Sequence, residues 1–195
     1  MMRRLTIIMA VWFALAGSAQ AAAPLDYTRT ILQQARTIVA DNQTHNEKLA
    51  ALSALFGKFL DTDAMGREAL GEHWSSFTSA QQKEFLDLFR ELLQRTYVQK
   101  LLLFENPDFV YAGQQLTGNG ANVDTKIVTP RDQFDVSYRL TRAGDNWIAT
   151  AITVEDVSLT SNLGSQLSDL LTRMSVDDLL TLMRRKYGNP GGQVS

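Results

Sequence analysis

The sequence predicts an α+β fold: a curved antiparallel sheet of about four strands, wrapped by N- and C-terminal helices. Three observations carry that prediction. Apolar residues recur at helical spacing as far as Phe104, alternate with period two from Phe109 to Leu159, and then return to helical spacing. Two turn sequences, Gly118–Asn119–Gly120 and Ala143–Gly144–Asp145–Asn146, punctuate the alternating stretch. No internal repeat or low-complexity linker divides the chain.

The N-terminus reads as a cleavable signal peptide, residues 1–21. Arg3 and Arg4 give a positive start, Leu5 to Ala16 is an apolar run, and Ala19–Gln20–Ala21 is a small-x-small cleavage site. A spanning helix needs about 20 apolar residues, and this run is shorter. Cleavage is expected near Ala21, with Ala23 as a second site. The chain has no cysteine, so a lipid-modified cysteine cannot tether it, and thiolate metal sites and disulfides are excluded.

The remaining residues, 22–187, are expected to form one domain, followed by a flexible tail, 188–195. Leu25 to Val39 reads as a first helix. Asn46 to Leu60 carries Leu49, Leu52, Leu55, Phe56 and Phe59 at helical spacing. Asp61–Thr62 can cap a short helix that runs through Leu70 and stops at Gly71. Thr78 with Gln81 is a capping-box signature, and it opens the longest helix, Ser79 to about Phe104. Phe85, Phe89, Leu92, Leu93, Tyr97, Leu101 and Phe104 form its apolar stripe.

Asn106–Pro107–Asp108 ends that helix, because proline disfavours helix in the residue before it. Strands are expected over Phe109–Leu116, Val123–Ile127, Phe134–Leu140 and, as one long strand, Trp147–Leu159. One apolar sheet face needs cover, which the long helix can supply. Two further helices close the domain, Ser161 to Met174 and a Ser175-capped one to Tyr187.

Composition narrows the function. Removing Arg3 and Arg4 from 19 basic residues leaves 17 against 21 acidic ones, a net charge of −4. With no basic run to grip phosphate backbones, nucleic acid is not an expected partner. His45 and His73 lack a second ligand at metal spacing, and no nucleophile elbow, phosphate loop or dinucleotide fingerprint occurs. Glu155–Asp156 is the one acidic pair near the sheet. Strand neighbours point to opposite faces, so a loop or edge position explains the pair better than a shared proton or metal. No catalytic residues and no cofactor are expected.

Apolar surface comes from two directions, the long helix stripe and a sheet face bearing Val136, Tyr138 and Trp147. Periodicity alone does not separate a plain core from a pocket.

A linked series of motifs adds to this. The segment from Phe59 to Trp74, with Phe59, Met65, Arg67, Leu70, Gly71 and Trp74 in register, resembles the F-D-x-x-x-M-A-R-x-x-L-G-x-x-W block of the MlaC (toluene-tolerance) family. Thr78, Gln81, Phe85, Phe89, Leu92, Leu93 and Tyr97 follow that family's next helix. Tyr138–Arg139–Leu140, Trp147 and Val157–Ser158–Leu159 follow its Y-R-L…W…G-V-S-L pattern. Two departures stand out: Asp156 replaces a usual Gly, and Asn162 to Leu167 replaces an N-Y/F-R-x-Q-F run.

The resemblance implies a soluble periplasmic phospholipid carrier with an apolar pocket between sheet and helices. Its partners would be phospholipid as cargo, an outer-membrane lipoprotein complex and an inner-membrane MCE-domain ABC transporter, and the role would be to maintain outer-membrane lipid asymmetry. The expected pocket residues are Phe85, Phe89, Tyr97, Leu101, Val136, Tyr138, Trp147, Leu163 and Leu167. Trp74 is expected to be a packing anchor instead. A monomer is expected. The rival readings are an envelope adaptor without cargo, and an isomerase or dehydratase on a similar scaffold with an Asp or His aimed into the pocket.

Overall fold

The computed structural model describes residues 23–104 and 107–188. The expected leader, and the expected tail beyond Gly188, lie outside the described residues.

Local capping chemistry sets most helix boundaries. α1 (Pro24–Ala40) begins on a proline, whose fixed φ and missing N–H suit a first helical turn. It buries Thr28, Ile31, Leu32 and Ala35 as one stripe. α2 (His45–Phe59) opens on a capping box. There the Thr44 hydroxyl accepts from the Glu47 backbone N–H at 3.3 Å, and the Glu47 carboxylate accepts from the Thr44 N–H at 2.9 Å. Asp61 caps α3 (Thr62–Leu70) by accepting from the Ala64 N–H at 2.8 Å. Gly71 ends α3 at φ +52°, a conformation that side chains resist, and a 3-10 turn (Gly71–Ser76) follows.

The long helix is three segments: α4 (Ser79–Leu93), a π-helical turn (Gln94–Val98) and α5 (Gln99–Leu101). After it come β1 (Asp108–Thr117), β2 (Gly120–Val128), β3 (Gln133–Ala143), β4 (Asn146–Val154) and β5 (Val157–Ser158). They form one antiparallel meander in the order β1-β2-β3-β4-β5. Register shifts between Tyr111 and Gly113 in β1, and between Arg139 and Leu140 in β3, bend the sheet. α6 (Leu159–Leu171) and α7 (Val176–Tyr187) complete the domain, and a Ser175–Asp178 capping box opens α7.

Two expectations are corrected. The sheet has five strands because the stretch from Trp147 to Leu159 is not one strand. Glu155 (φ +48°) and Asp156 (φ +62°) turn the chain, Val157–Ser158 returns as β5, and Leu159 already starts α6. Glu155–Asp156, two polar residues side by side, breaks the alternation and marks this turn. The cover of the sheet is also different. α1 and α2 lie on it together with the end of the long helix, α3 and α6 reach β4, and α4 packs against α3 and α7. An amphipathic stripe demands a partner but does not say which one. The π turn then adds a residue to the helical period, so the stripe faces other helices as far as Tyr97 and the sheet-side cluster from Val98 on.

The interior therefore forms two apolar clusters. One lies between the sheet and α1, α2 and α5. The other lies among α3, α4, α6 and α7. Leu60 touches both, and the neighbouring Asp61 N–H donates to the Ala149 carbonyl at 2.9 Å, pinning the α2–α3 joint onto β4.

Candidate functional site

The sheet-side cluster is built by the period-two alternation read from the sequence. Val123 and Thr125 on β2 and Val136, Tyr138 and Leu140 on β3 are all buried on one face. Val123 sits opposite Tyr138, and Thr125 opposite Val136. Phe109 and Tyr111 extend the face on β1, and Ile152 and Val154 on β4. The roof is Ile31, Leu32 and Ala35 of α1 with Leu52, Leu55 and Phe59 of α2.

The polar atoms inside are already satisfied. The Thr125 hydroxyl donates to the Val136 carbonyl at 3.1 Å, and the Thr28 hydroxyl donates to the Pro24 carbonyl at 2.8 Å. Burial pushes the Tyr138 phenol well above its ordinary value, with the Thr125 hydroxyl partly opposing the shift. At the sheet edge Tyr111 is raised too, first by desolvation, although the Arg29 guanidinium lies 4.9 Å from its ring centre. Among the described residues the buried polar side chains are Thr28, Thr125 and Thr160; none is a carboxylate or an imidazole.

A surface cavity adjoins this layer at Phe104, which packs against it. Leu103, Phe104 and the Thr129–Asp132 loop surround a cavity of about 220 Å³. Leu103 is 76% exposed, the largest exposure among the big apolar side chains described. Phe104 packs on Phe134 with ring centres 5.8 Å apart, which links the rim to β3. The loop is braced internally, because the Thr129 N–H donates to the Asp132 carbonyl at 2.8 Å and the Thr129 hydroxyl accepts from the Asp132 N–H at 2.9 Å. Arg131 is exposed on this rim. The rim thus sets an apolar tip beside a cation.

The nine sequence-predicted pocket residues divide between the two clusters. Leu101, Val136, Tyr138 and Trp147 belong to the sheet-side cluster. Phe85, Phe89, Leu163 and Leu167 belong to the helical cluster, with half-buried Tyr97 packed on it. Sequence reasoning missed the roof residues on α1 and α2. Their helical spacing was visible, but nothing in it marks the sheet as their partner.

The other singled-out residues lie outside this interior. Trp74 is half-buried against the helical cluster. His45 is exposed, and the His73 Nε2 is 3.2 Å from the Ser168 hydroxyl. Among the described residues no three His, Asp or Glu side chains are placed to hold a metal ion, and no helix is long and apolar enough to cross a membrane.

An antiparallel meander with one apolar face roofed by helices defines the class: an α+β protein with an apolar interior between sheet and helices. The chain belongs to the MlaC family, whose model, described as MlaC protein, matches residues 26–185. Its fold is similar to that of a phospholipid-binding protein from Ralstonia solanacearum, solved in complex with a phospholipid. That likeness has a TM-score of 0.74 at 20% sequence identity and covers 86% of this chain and 98% of that one.

The motif residues are largely joints of this fold. Phe59 and Met65 are fully buried, one in each cluster. Gly66 lies so close to α4 that a Cβ there would meet the Leu86 side chain at 2.8 Å. The motifs are therefore evidence of fold first.

Proposed function

We propose that this protein binds a phospholipid and carries it without catalysing a reaction, its acyl chains lying between the sheet and the roof of α1, α2 and α5. The observation that carries the proposal is the sheet-side interior. It is apolar, its threonine hydroxyls are already bonded, and Phe104 on its border connects it to the cavity at the Leu103–Arg131 rim. A lipid phosphate left at that rim would remain near water and within reach of a cation. Family membership, and the phospholipid held by the Ralstonia protein, support the same reading.

The energetics suit a carrier. Each buried methylene contributes about 0.8 kcal/mol, so two acyl chains of roughly 30 methylenes gain about 24 kcal/mol on leaving water. A bilayer offers nearly the same gain. The protein must match that environment without greatly exceeding it, or release would be too slow. Side chains fill the interior in this structure, so taking up acyl chains requires the roof to separate from the sheet.

In the full proposal the mature chain is periplasmic and moves phospholipid between an outer-membrane lipoprotein complex and an inner-membrane MCE-domain ABC transporter. Docking and ATP hydrolysis at the partners would then set direction, because a carrier with equal affinity at both ends shifts nothing by itself. Lipid extraction and native mass spectrometry of protein purified from cells test the cargo. Stoichiometric phospholipid supports the reading, and a lipid-free preparation that also fails to extract phospholipid from vesicles overturns it in favour of an adaptor domain.

A further inference from the structure

The two roof helices are attached to the sheet in different ways. α2 is fixed through the main chain: the Asp61 N–H just beyond it donates to the Ala149 carbonyl of β4 at 2.9 Å, and Leu60 bridges to Ala149. The Gln94 side-chain amide also donates to the Ser53 hydroxyl at 2.6 Å, which ties α2 to the π turn. α1 instead runs antiparallel to β1, the edge strand of the sheet, and is held there by contacts that each involve a side chain. The Leu25 N–H donates to the Gln114 Oε1 at 2.8 Å, and the Arg29 guanidinium lies 4.9 Å from the Tyr111 ring centre. The Arg36 Nη1 donates to the Asp108 Oδ1 at 3.0 Å. Among the described residues no backbone–backbone hydrogen bond joins α1 to the sheet.

The seam between α1 and β1 is therefore weakly held. The two side chains of its ion pair are 55% and 59% exposed, where water and salt screen the attraction. The α1 side chains beneath it, Ile31, Leu32 and Ala35, are apolar members of the sheet-side cluster, and Tyr27 meets Phe59 with ring centres 6.3 Å apart. The buried hydroxyls do not cross the seam: Thr28 donates to the Pro24 carbonyl of its own helix, and Thr125 donates within the sheet. Parting α1 from β1 breaks neither bond, and acyl chains can replace the apolar contacts it gives up. Residues 41–44, between α1 and α2, are not helical. The Lys48 Nζ donates to the Val39 carbonyl at 2.7 Å, which keeps the C-terminal end of α1 on α2.

We propose that α1 is a strap over the edge of the sheet. It swings away from β1 about the joint at residues 41–44, acyl chains enter sideways between α1 and β1, and the Leu25–Gln114, Arg29–Tyr111 and Arg36–Asp108 contacts close behind them. α2 stays in place, because moving it would break the main-chain bond between Asp61 and Ala149. The inference rests on the lipid reading and adds to it the place where the interior opens.

The chain has no cysteine, so pairs can be introduced and joined cleanly. Arg36→Cys with Asp108→Cys, joined by a short bis-methanethiosulfonate linker, ties α1 to β1 until a reductant is added. Leu25→Cys with Gln114→Cys does the same at the other end of the helix. Glu84→Cys with Arg184→Cys, across α4 and α7, is the control. The protein freed of bound lipid is mixed with phosphatidylethanolamine–phosphatidylglycerol vesicles carrying a pyrene-labelled phospholipid, and uptake is followed by fluorescence. Linking either α1–β1 pair should slow uptake at least about tenfold, as expected when a gating motion is blocked, and reductant should restore it. The linked control should take up lipid at its unlinked rate, and circular dichroism should show all three pairs folded. Undiminished uptake with α1 tied to β1 at both ends in turn would overturn the strap and leave the lipid reading standing. Equal slowing in the control would overturn it as well, since any added rigidity would then suffice. Absence of uptake by the unlinked protein would overturn both readings.

Discussion

The rings of Phe59 and Tyr138 lie with centres 5.6 Å apart, one from the last turn of α2 and the other from the middle of β3. Phe59 is fully buried, and its ring also meets Tyr27 of α1 at 6.3 Å. One side chain thus ties both roof helices to the sheet, and the next two residues, Leu60 and Asp61, pin the joint to β4. Phe59→Ala should therefore destabilise the fold by about 3–5 kcal/mol, the usual cost of emptying a buried phenylalanine site. Chemical denaturation measures this directly. A loss below about 1 kcal/mol would mean that the roof is held by something else.

The division into two clusters makes the lipid proposal testable by position. Val136→Glu or Leu101→Glu puts a charge into the sheet-side layer and should abolish co-purified phospholipid, with the circular dichroism spectrum still that of an α+β protein. Leu167→Ala lies in the helical cluster and should cost about 2–5 kcal/mol of stability yet leave the lipid content per folded molecule unchanged. The reverse pattern would move the acyl site to the helices.

Much of this architecture was legible because it is written locally. Thr44 with Glu47, Asp61 with Ala64, Thr78 with Gln81 and Ser175 with Asp178 lie three residues apart, so each cap can be read without knowing the fold. The strand faces of β2 and β3 follow from alternation alone. What the roof covers is a long-range fact, and the apolar stripes of α1 and α4 look alike in sequence. The π turn at Gln94–Val98 contains no Gly or Pro to announce it. Four of the nine expected pocket residues accordingly fall in the sheet-side cluster, and the α4 and α6 residues sit behind it.

The turn after β4 lacks a glycine to mark it. Asp156 adopts φ +62°, a left-handed conformation that glycine adopts freely and that costs other L-residues about 1–2 kcal/mol. Asp156→Gly should relieve that strain, less the extra entropy of the unfolded glycine, for a net gain of about 0.5–1 kcal/mol. A shift of the denaturation midpoint to higher denaturant with an unchanged slope is the expected result. A loss of stability would show that the Asp156 side chain stabilises the turn by more than the strain costs.

Tyr138 links the sheet face to pH. Burial raises its phenol pKa in the folded protein, while the unfolded chain should ionise near the ordinary tyrosine value of about 10. The folded state thus keeps its proton at a pH where the unfolded state releases it. The stability held by the neutral phenol is fully present below about pH 10 and declines as pH rises above it, because ionisation then favours the unfolded chain. Tyr138→Phe removes the ionisable group, leaves the ring against Phe59, and forfeits the hydroxyl's polar contact with Thr125 at a cost of about 1 kcal/mol near neutrality. The variant should therefore be slightly less stable than the parent at pH 7, and the gap should close or reverse above pH 10. Thermal melts of both proteins from neutral to alkaline pH measure the difference, in which titration of the surface lysines and the other tyrosines cancels. A gap that stays constant across the range would mean that the Tyr138 hydroxyl is reached by solvent, and that the sheet-side layer opens at its centre.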